Sequence, residues 1–190
     1  MMIGQDELDD VLAMALAGGA DFAEVFAEDV RRSSVSLDDG RIESLESSRD
    51  RGAGIRVVSG DSTGFAHTAD LSPRGLRAAA QAAAAAVRGG HGTGPRKVRE
   101  QESRPGPVRQ RPEGVAKATK VELLRRAEEV ARSADSAITQ VGASYADSRR
   151  RILVANSEGV MARDDQTRTR FSVSCVASGD TGLQTGYETV

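Results

Sequence analysis

One plan runs twice along this chain of 190 residues, and it constrains the fold more than any other feature. A helical pattern leads to a strand, an acidic-then-arginine turn, a second strand, a glycine turn and a third strand. In the first pass, Leu8, Val11, Leu12, Ala15 and Leu16 recur at helical spacing. Asp6 or Asp9 can serve the amino end of that helix, and Gly18-Gly19 stops it. Residues 21–30 read as a strand, 28–32 as a charged turn and 33–37 as the next strand, whose Val35 and Leu37 alternate with serines. Asp39-Gly40 is a two-residue hairpin signal that returns the chain over 41–48. Residues 52–58 and 63–68 then predict a further hairpin around Ser59-Gly60-Asp61. Ser72-Pro73 opens an alanine-rich helix with Leu76, Ala80, Ala83 and Val87 on one face.

Over 89–118 glycine, proline and charge replace periodicity, with seven Lys/Arg against three Glu, as in an extended connector. The second pass follows. Thr119 and Glu122 match a capping box, and Val121, Leu124, Ala127, Val130, Ala131 and Ala134 predict one apolar stripe. Glu122 with Arg126 and Glu128 with Arg132 are favourable i,i+4 pairs. Residues 137–146, 151–155 and 160–177 read as strands, with a turn at 147–151 and another at Asn156-Ser157-Glu158-Gly159. An internal duplication accounts for the likeness of the two passes; so does the similarity of any two αβββ arrangements. The expected class is α+β, with antiparallel sheet and helices packed on one face, as two related αβββ units. The corresponding division is 1–88 as an amino-terminal α+β domain, 89–118 as the connector, and 119–190 as a helix plus antiparallel strands.

Composition removes several function classes. Charged residues make up 28% with a net charge of −2, without the basic excess of a nucleic-acid binder. No apolar run nears the roughly 20 residues that span a bilayer. Asp6, Glu7, Asp9 and Asp10 stand where a signal peptide needs a basic region and an apolar core. One cysteine cannot form an internal disulfide, which fits a reducing, cytoplasmic setting. Aromatics are 3% and Trp is absent, so the core must come from Ala, Val, Leu and Ile.

Candidate chemistry is sparse. His67 and His91 are the two histidines, and with Cys175 they fall short of a zinc ligand set at usable spacing. Alternation puts Phe171, Val173, Cys175 and Ala177 on one strand face, predicting a buried, inert thiol. The run Gly89-Gly90-His91-Gly92-Thr93-Gly94 lacks the Gly-Lys-Ser/Thr ending of a phosphate loop and follows a helix. Asp164 and Asp165 before Arg168 and Arg170 are paired carboxylates, better read as an exposed strand entry with cross-strand charge pairs. Arg149, Arg150 and Arg151 could hold an anion or a partner, with a charged turn as the default reading. No catalytic, cofactor-binding or metal residue is assigned.

Several ordered blocks together are more specific than any of these motifs. Ala20-Asp21-Phe22-Ala23-Glu24-Val25-Phe26, then 36–43, Arg51-Gly52-Ala53-Gly54-Ile55-Arg56-Val57 and Thr63-Gly64-Phe65-Ala66-His67-Thr68 resemble the amino-terminal domain of the TldD/PmbA metallopeptidase family. Ala155-Asn156-Ser157-Glu158-Gly159, Thr167-Arg168-Thr169-Arg170-Phe171 and Gln184-Thr185-Gly186-Tyr187-Glu188 look like its next stretch, nearer the TldD branch. The resemblance implies a zinc-dependent cytoplasmic peptidase of unfolded or modified peptides, working as a dimer with a PmbA-like partner subunit or with itself. It implies a zinc site built from an HExxxH helix and a distant cysteine in the carboxy-terminal half. No position here matches HExxxH, and Cys175 precedes the place of the ligand cysteine, so no catalytic residue carries over.

The expected function is the non-catalytic amino-terminal portion of such a peptidase, truncated because a long strand near a chain end needs later neighbours. It would supply scaffold, substrate access or a subunit contact, without nucleic acid or membrane as partner. The alternatives are a freestanding binding or assembly module that lost the protease half, and an enzyme with a new site around His67 and Asp70.

Overall fold

The computed structural model describes residues 3–87, 94–102 and 106–190. In chain order it holds α1 (Gln5–Leu16), β1 (Phe22–Asp38), β2 (Arg41–Ser59), β3 (Ser62–Thr68), α2 (Pro73–Ala85) and β4 (Arg99–Glu100). A single 3₁₀ turn (Pro112–Gly114) precedes α3 (Lys117–Ala134), β5 (Ile138–Asn156), β6 (Val160–Gly179) and β7 (Gly182–Thr189). The helix, long strand, long strand, short strand order thus occurs twice. The strands form one sheet in the order β3-β2-β1-β5-β6-β4, with β7 also on β6. β4 adds to β6 in parallel, whereas β3 on β2 and β7 on β6 are antiparallel. The class is α+β, as the sequence predicts.

Four strands have 17 to 20 residues, about three times the usual length. The expected turns at 28–32 and 147–151 do not exist, and 49–51 continues one strand. Each charged stretch lies inside β1 or β5. The reason is pairing: Glu28 bonds Arg150 at 2.7 Å, and Asp29, 2% exposed, bonds Arg151. Charges that read as turn formers are neighbours across two strands, where opposite signs stabilise the pairing.

The long strands are shared between two compact units. The first takes described residues of 1–30, 50–106 and 150–165. Its core joins Leu8, Leu12 and Leu16 of α1 with Val25, Ile55, Val57, Leu153 and Met161 of the strands and Leu76, Ala80 and Ala83 of α2. The amide of Gly4 donates to the Glu7 carboxylate at 2.9 Å, and the Ser72 hydroxyl accepts from Gly75 N–H at 3.3 Å, so both helix starts are satisfied locally. The segment around β4 is tied in as well: Val98 is buried, its amide donates to Asp9, and its carbonyl accepts from Gln5.

The second unit takes 31–49, 107–149 and 166–190, with a smaller core of Val35, Leu37, Leu124 and Ala143 flanked by Phe171 and Val173. Asp39 and Gly40 both have positive φ, 47° and 82°, which closes the predicted two-residue hairpin. Helix α3 departs from expectation. It starts at Lys117 after Ala116 without a side-chain cap, so Thr119 and Glu122 form no capping box. Its buried face is Lys120, Leu124 and Glu128, while Val130 is 61% exposed. Buried Lys120 reaches Asp147 of β5 in this phase, and Arg132, held by Glu128 at 3.1 Å on the same helix, reaches Asp39 in the β1–β2 turn.

Close packing in the first unit makes one glycine indispensable. A Cβ on Gly64 would lie 2.1 Å from the Ala83 carbonyl oxygen of α2. We expect Gly64→Ala to cost about 1–3 kcal/mol through overpacking, read as a lower urea midpoint, although alanine favours the strand conformation over glycine.

Candidate functional site

Lys120 lies in the first turn and a half of α3, and its side chain is 5% exposed. Such a cation needs a partner, because an unpaired charge in a dry interior is expelled or neutralised. Its Nζ sits 2.5 Å from Asp147 Oδ2 and donates to Ser33 Oγ at 3.1 Å. The same ammonium stands 5.4 Å from the centre of the Tyr145 ring, within cation–π range. Period-2 alternation in β5 brings Tyr145 and Asp147 to one face, and β1 supplies Ser33. This cluster went unnoticed in the sequence; the signal was a lysine four residues before Leu124, on the helix face that also carries Glu128.

Two neighbouring clefts of the second unit meet at this cluster. The larger, about 1010 Å³, is lined by Ser34 and Leu45 on one side and by Arg168, Thr169 and Arg170 on the other. The smaller, about 580 Å³, carries Arg31, Arg49, Lys117, Lys120 and Arg149 against Glu113 and Asp147. Arg32, Ser33, Ser47, Ser48 and Asp147 line both. Two internal pairs, Lys120–Asp147 and Arg149–Glu113 at 3.2 Å, neutralise part of this charge. Counted over the whole lining, with Glu46 as a third carboxylate, the groove is net cationic and hydroxyl-lined, a chemistry suited to carboxylates or other oxyanions. Ser33, the hydroxyl that meets Lys120, accepts from an ammonium held by Asp147 rather than giving its proton to a base.

The structure disperses the residues singled out in the sequence. His67 is exposed on β3 and stacks on Phe65, 6.3 Å between ring centres. Asp70 accepts the Ser72 amide at 2.9 Å, and that hydrogen bond, followed by one from the Ser72 hydroxyl, holds its carboxyl below the usual range. It acts as a local turn clasp. His91 and residues 89–93 of the glycine run lie outside the described residues. Cys175 is half-buried rather than buried: Phe171 and Val173 pack on the core, but cover stops before Cys175, and Ser172 on the opposite face is buried as well. Asp164 and Asp165 are half-buried within β6, not at a strand entry, and the Asp165 amide donates to Asp164. They belong to the first unit, whereas Arg168 and Arg170 belong to the second. Arg170 donates to Tyr187 at 3.0 Å and to Thr189 at 3.3 Å. Arg149 pairs with Glu113, while Arg150 and Arg151 face Glu28 and Asp29. Among the described residues, no three His, Cys, Asp or Glu side chains converge on a common metal position. Nor is any helix among them long and apolar enough to cross a membrane.

Two measurements probe the cluster. Lys120→Ala or Asp147→Ala strands a buried partner and should cost about 3–5 kcal/mol in urea unfolding, while the apolar double variant Lys120→Met/Asp147→Leu should recover most of it. The chain has two tyrosines, whose titrations should separate. Burial, then the Asp147 charge, raises the Tyr145 phenol; hydrogen bonds from Thr189 and Arg170 lower that of Tyr187. Phenolate absorbance should therefore rise in two steps on either side of the ordinary tyrosine value. The stability that Tyr145 contributes as a neutral phenol is present below that ordinary value and lost as pH rises through its raised one.

Comparison with known proteins agrees with this architecture. Residues 23–87 match the family model for PmbA/TldA metallopeptidase domain 1, and residues 110–190 match that for the PmbA/TldA metallopeptidase central domain. The chain is 29% identical over 187 residues to a metalloprotease TldD homolog of Haemophilus influenzae, covering 90% of this chain and 39% of that protein. It is 31% identical over 194 residues to a metalloprotease of Methanothermobacter thermautotrophicus, covering 99% and 41%. It thus spans about two fifths of the length of the curated relatives it matches. Among solved structures, TldE from Thermococcus kodakarensis superposes with a TM-score of 0.71 at 17% identity, covering 96% of this chain and 42% of that one. A Thermotoga maritima protein put forward as a modulator of a DNA gyrase superposes with a TM-score of 0.75 at 19% identity, covering 97% and 42%. Those two likenesses establish a shared fold. With two ordered blocks of the chain matched by two consecutive domains of one family, the chain belongs to the TldD/PmbA family.

Proposed function

We propose that this chain is the amino-terminal, non-catalytic portion of a TldD-like zinc metallopeptidase. In this reading residues 1–88 are its first domain, 89–118 a connector and 119–190 the start of its central region. The whole protein acts in the cytoplasm on unfolded or modified peptides, as a dimer with a PmbA-like subunit or with a second copy. The observation that carries this reading is the match of both blocks, in order, to the first and central metallopeptidase domains.

The residues present do not fit the zinc. Zinc peptidases take histidine, carboxylate or thiolate ligands converging on one ion. Here His67 is exposed against Phe65, and Cys175 lies on a different strand in the other unit. No step of hydrolysis is therefore routed through these side chains. The chain's own contribution is a surface: the groove of the second unit presents Arg31, Lys117 and Arg168 to a peptide's carboxylates. Among the described strands β7 pairs with β6, and its other edge can add an extended segment as a further strand.

Metal analysis and a peptide-hydrolysis assay of the purified chain test the reading. We expect less than one zinc per ten chains and no turnover, with activity appearing when the polypeptide includes an HExxxH segment. Stoichiometric zinc or turnover in the isolated chain, lost in His67→Ala, would overturn it.

A further inference from the structure

The two αβββ passes end on a similar short strand but differ in what lies over it. In β3, Thr63-Gly64-Phe65 places Gly64 opposite Val57 of β2, on the side of α2, and leaves Phe65 62% exposed on the other side. In β7, Thr185-Gly186-Tyr187 places Gly186 opposite Cys175 of β6 and leaves Tyr187 61% exposed. Gly186 lies on the face of Cys175 and Val173, and Val173 packs on the core that holds Leu124 of α3. Both glycines therefore point to the helix side of their own unit.

Their surroundings are opposite. A Cβ on Gly64 would collide with the Ala83 carbonyl and approach Ala86 Cβ to 3.1 Å, because α2 rests directly on the strand. A Cβ on Gly186 would meet nothing within 4 Å. Every residue of β7 is exposed, although a glycine in mid-strand weakens a strand unless another backbone approaches closely. Helix α1 has α2 packed against it. Helix α3 instead leaves Leu123 and Val130, two turns apart on one stripe, 44% and 61% exposed.

Resting on the reading of this chain as part of a longer polypeptide, we infer that the helix-side face of β6–β7, from Cys175 to Gly186, is the seat of a helix that follows β7 there, as α2 follows β3. Its contact stripe is of alanine or glycine, since Gly186 admits a backbone at the distance Ala83 keeps from Gly64. The length is available: the relatives are more than twice as long as the stretch this chain matches. In the first unit, four residues link Thr68 to Pro73.

Peptide-resolved alkylation of Cys175 tests this, comparing residues 1–190 with the full polypeptide encoded by the same gene. We expect Cys175 to react at least tenfold more slowly in the full polypeptide. Gly186→Leu should restore its reactivity there and lower Tm, yet leave the Tm of 1–190 unchanged; Gly64→Leu should lower Tm in both lengths. Equal alkylation rates in the two lengths sink the inference, as does a reading frame that stops at Val190. A protected Cys175 in a dimer of 1–190, seen by sedimentation, would assign the face to a second copy and refute the following helix. Protection that appears only with a separately encoded subunit would refute it in favour of that partner.

Discussion

The constraint on which everything else rests is the length of β1, β2, β5 and β6. At roughly 3.3 Å per residue, 17 to 20 residues have a contour near 55–65 Å, whereas a 12-residue helix is about 18 Å long. No single helix can cover such a strand, so each strand must bury different portions in different cores. The first unit does so with two helices and a large aliphatic cluster, the second with α3 and a much smaller one. With so few aromatics, both cores are mainly aliphatic, and α2 meets the sheet through alanines. That is why helix backbones approach the sheet closely and why Gly64 cannot be replaced cheaply.

Charges inside the strands follow from the same length. A strand that runs from one core into another carries its polar middle with it, and those groups must be paired where they lie. Asp29 with Arg151 and Glu28 with Arg150 do this in the first unit; Asp147 with Lys120 does it in the second. A buried ion pair is a weak source of stability, since desolvation offsets most of the attraction. Its effect here is on specificity. An uncompensated Asp147 would be costly, so the helix phase that brings Lys120 inward prevails over the one that would bury Val130. The cationic groove of the second unit is a consequence, because that phase sets Lys117 and Lys120 at its wall.

Family membership and the dispersal of the candidate ligands fit together. The chain matches the first and central domains of a metallopeptidase family, and among the described residues no three His, Cys, Asp or Glu side chains converge. In the function we propose, the sheet and its groove would supply shape and charge around chemistry done elsewhere. Strand edges and guanidinium groups suit backbone amides and carboxylates, groups common to peptides of any sequence.

Local features were legible in the sequence because their causes are local. Asp39-Gly40, Gly60 and Gly159 close turns through backbone torsions that few other residues tolerate, and Ser72-Pro73 starts α2 through its own hydroxyl and ring. Aliphatic spacing revealed α1 and its buried face, and alternation revealed the strand faces. Glu28–Arg32 and Asp147–Arg151 misled, because charge clusters mark a turn only when they remain solvated, and here they pair with each other across β1 and β5. The capping box of α3 failed for a related reason: its start and phase answer to Asp147 and Asp39, far away in sequence. The sequence by itself determined the three long helices, the glycine turns, the family and the lack of a ligand motif. Only the tertiary structure decided that short predicted strands fuse into long shared ones, and that a lysine lies buried beneath α3. Both depend on which charges meet across strands, and that is not encoded in neighbouring residues.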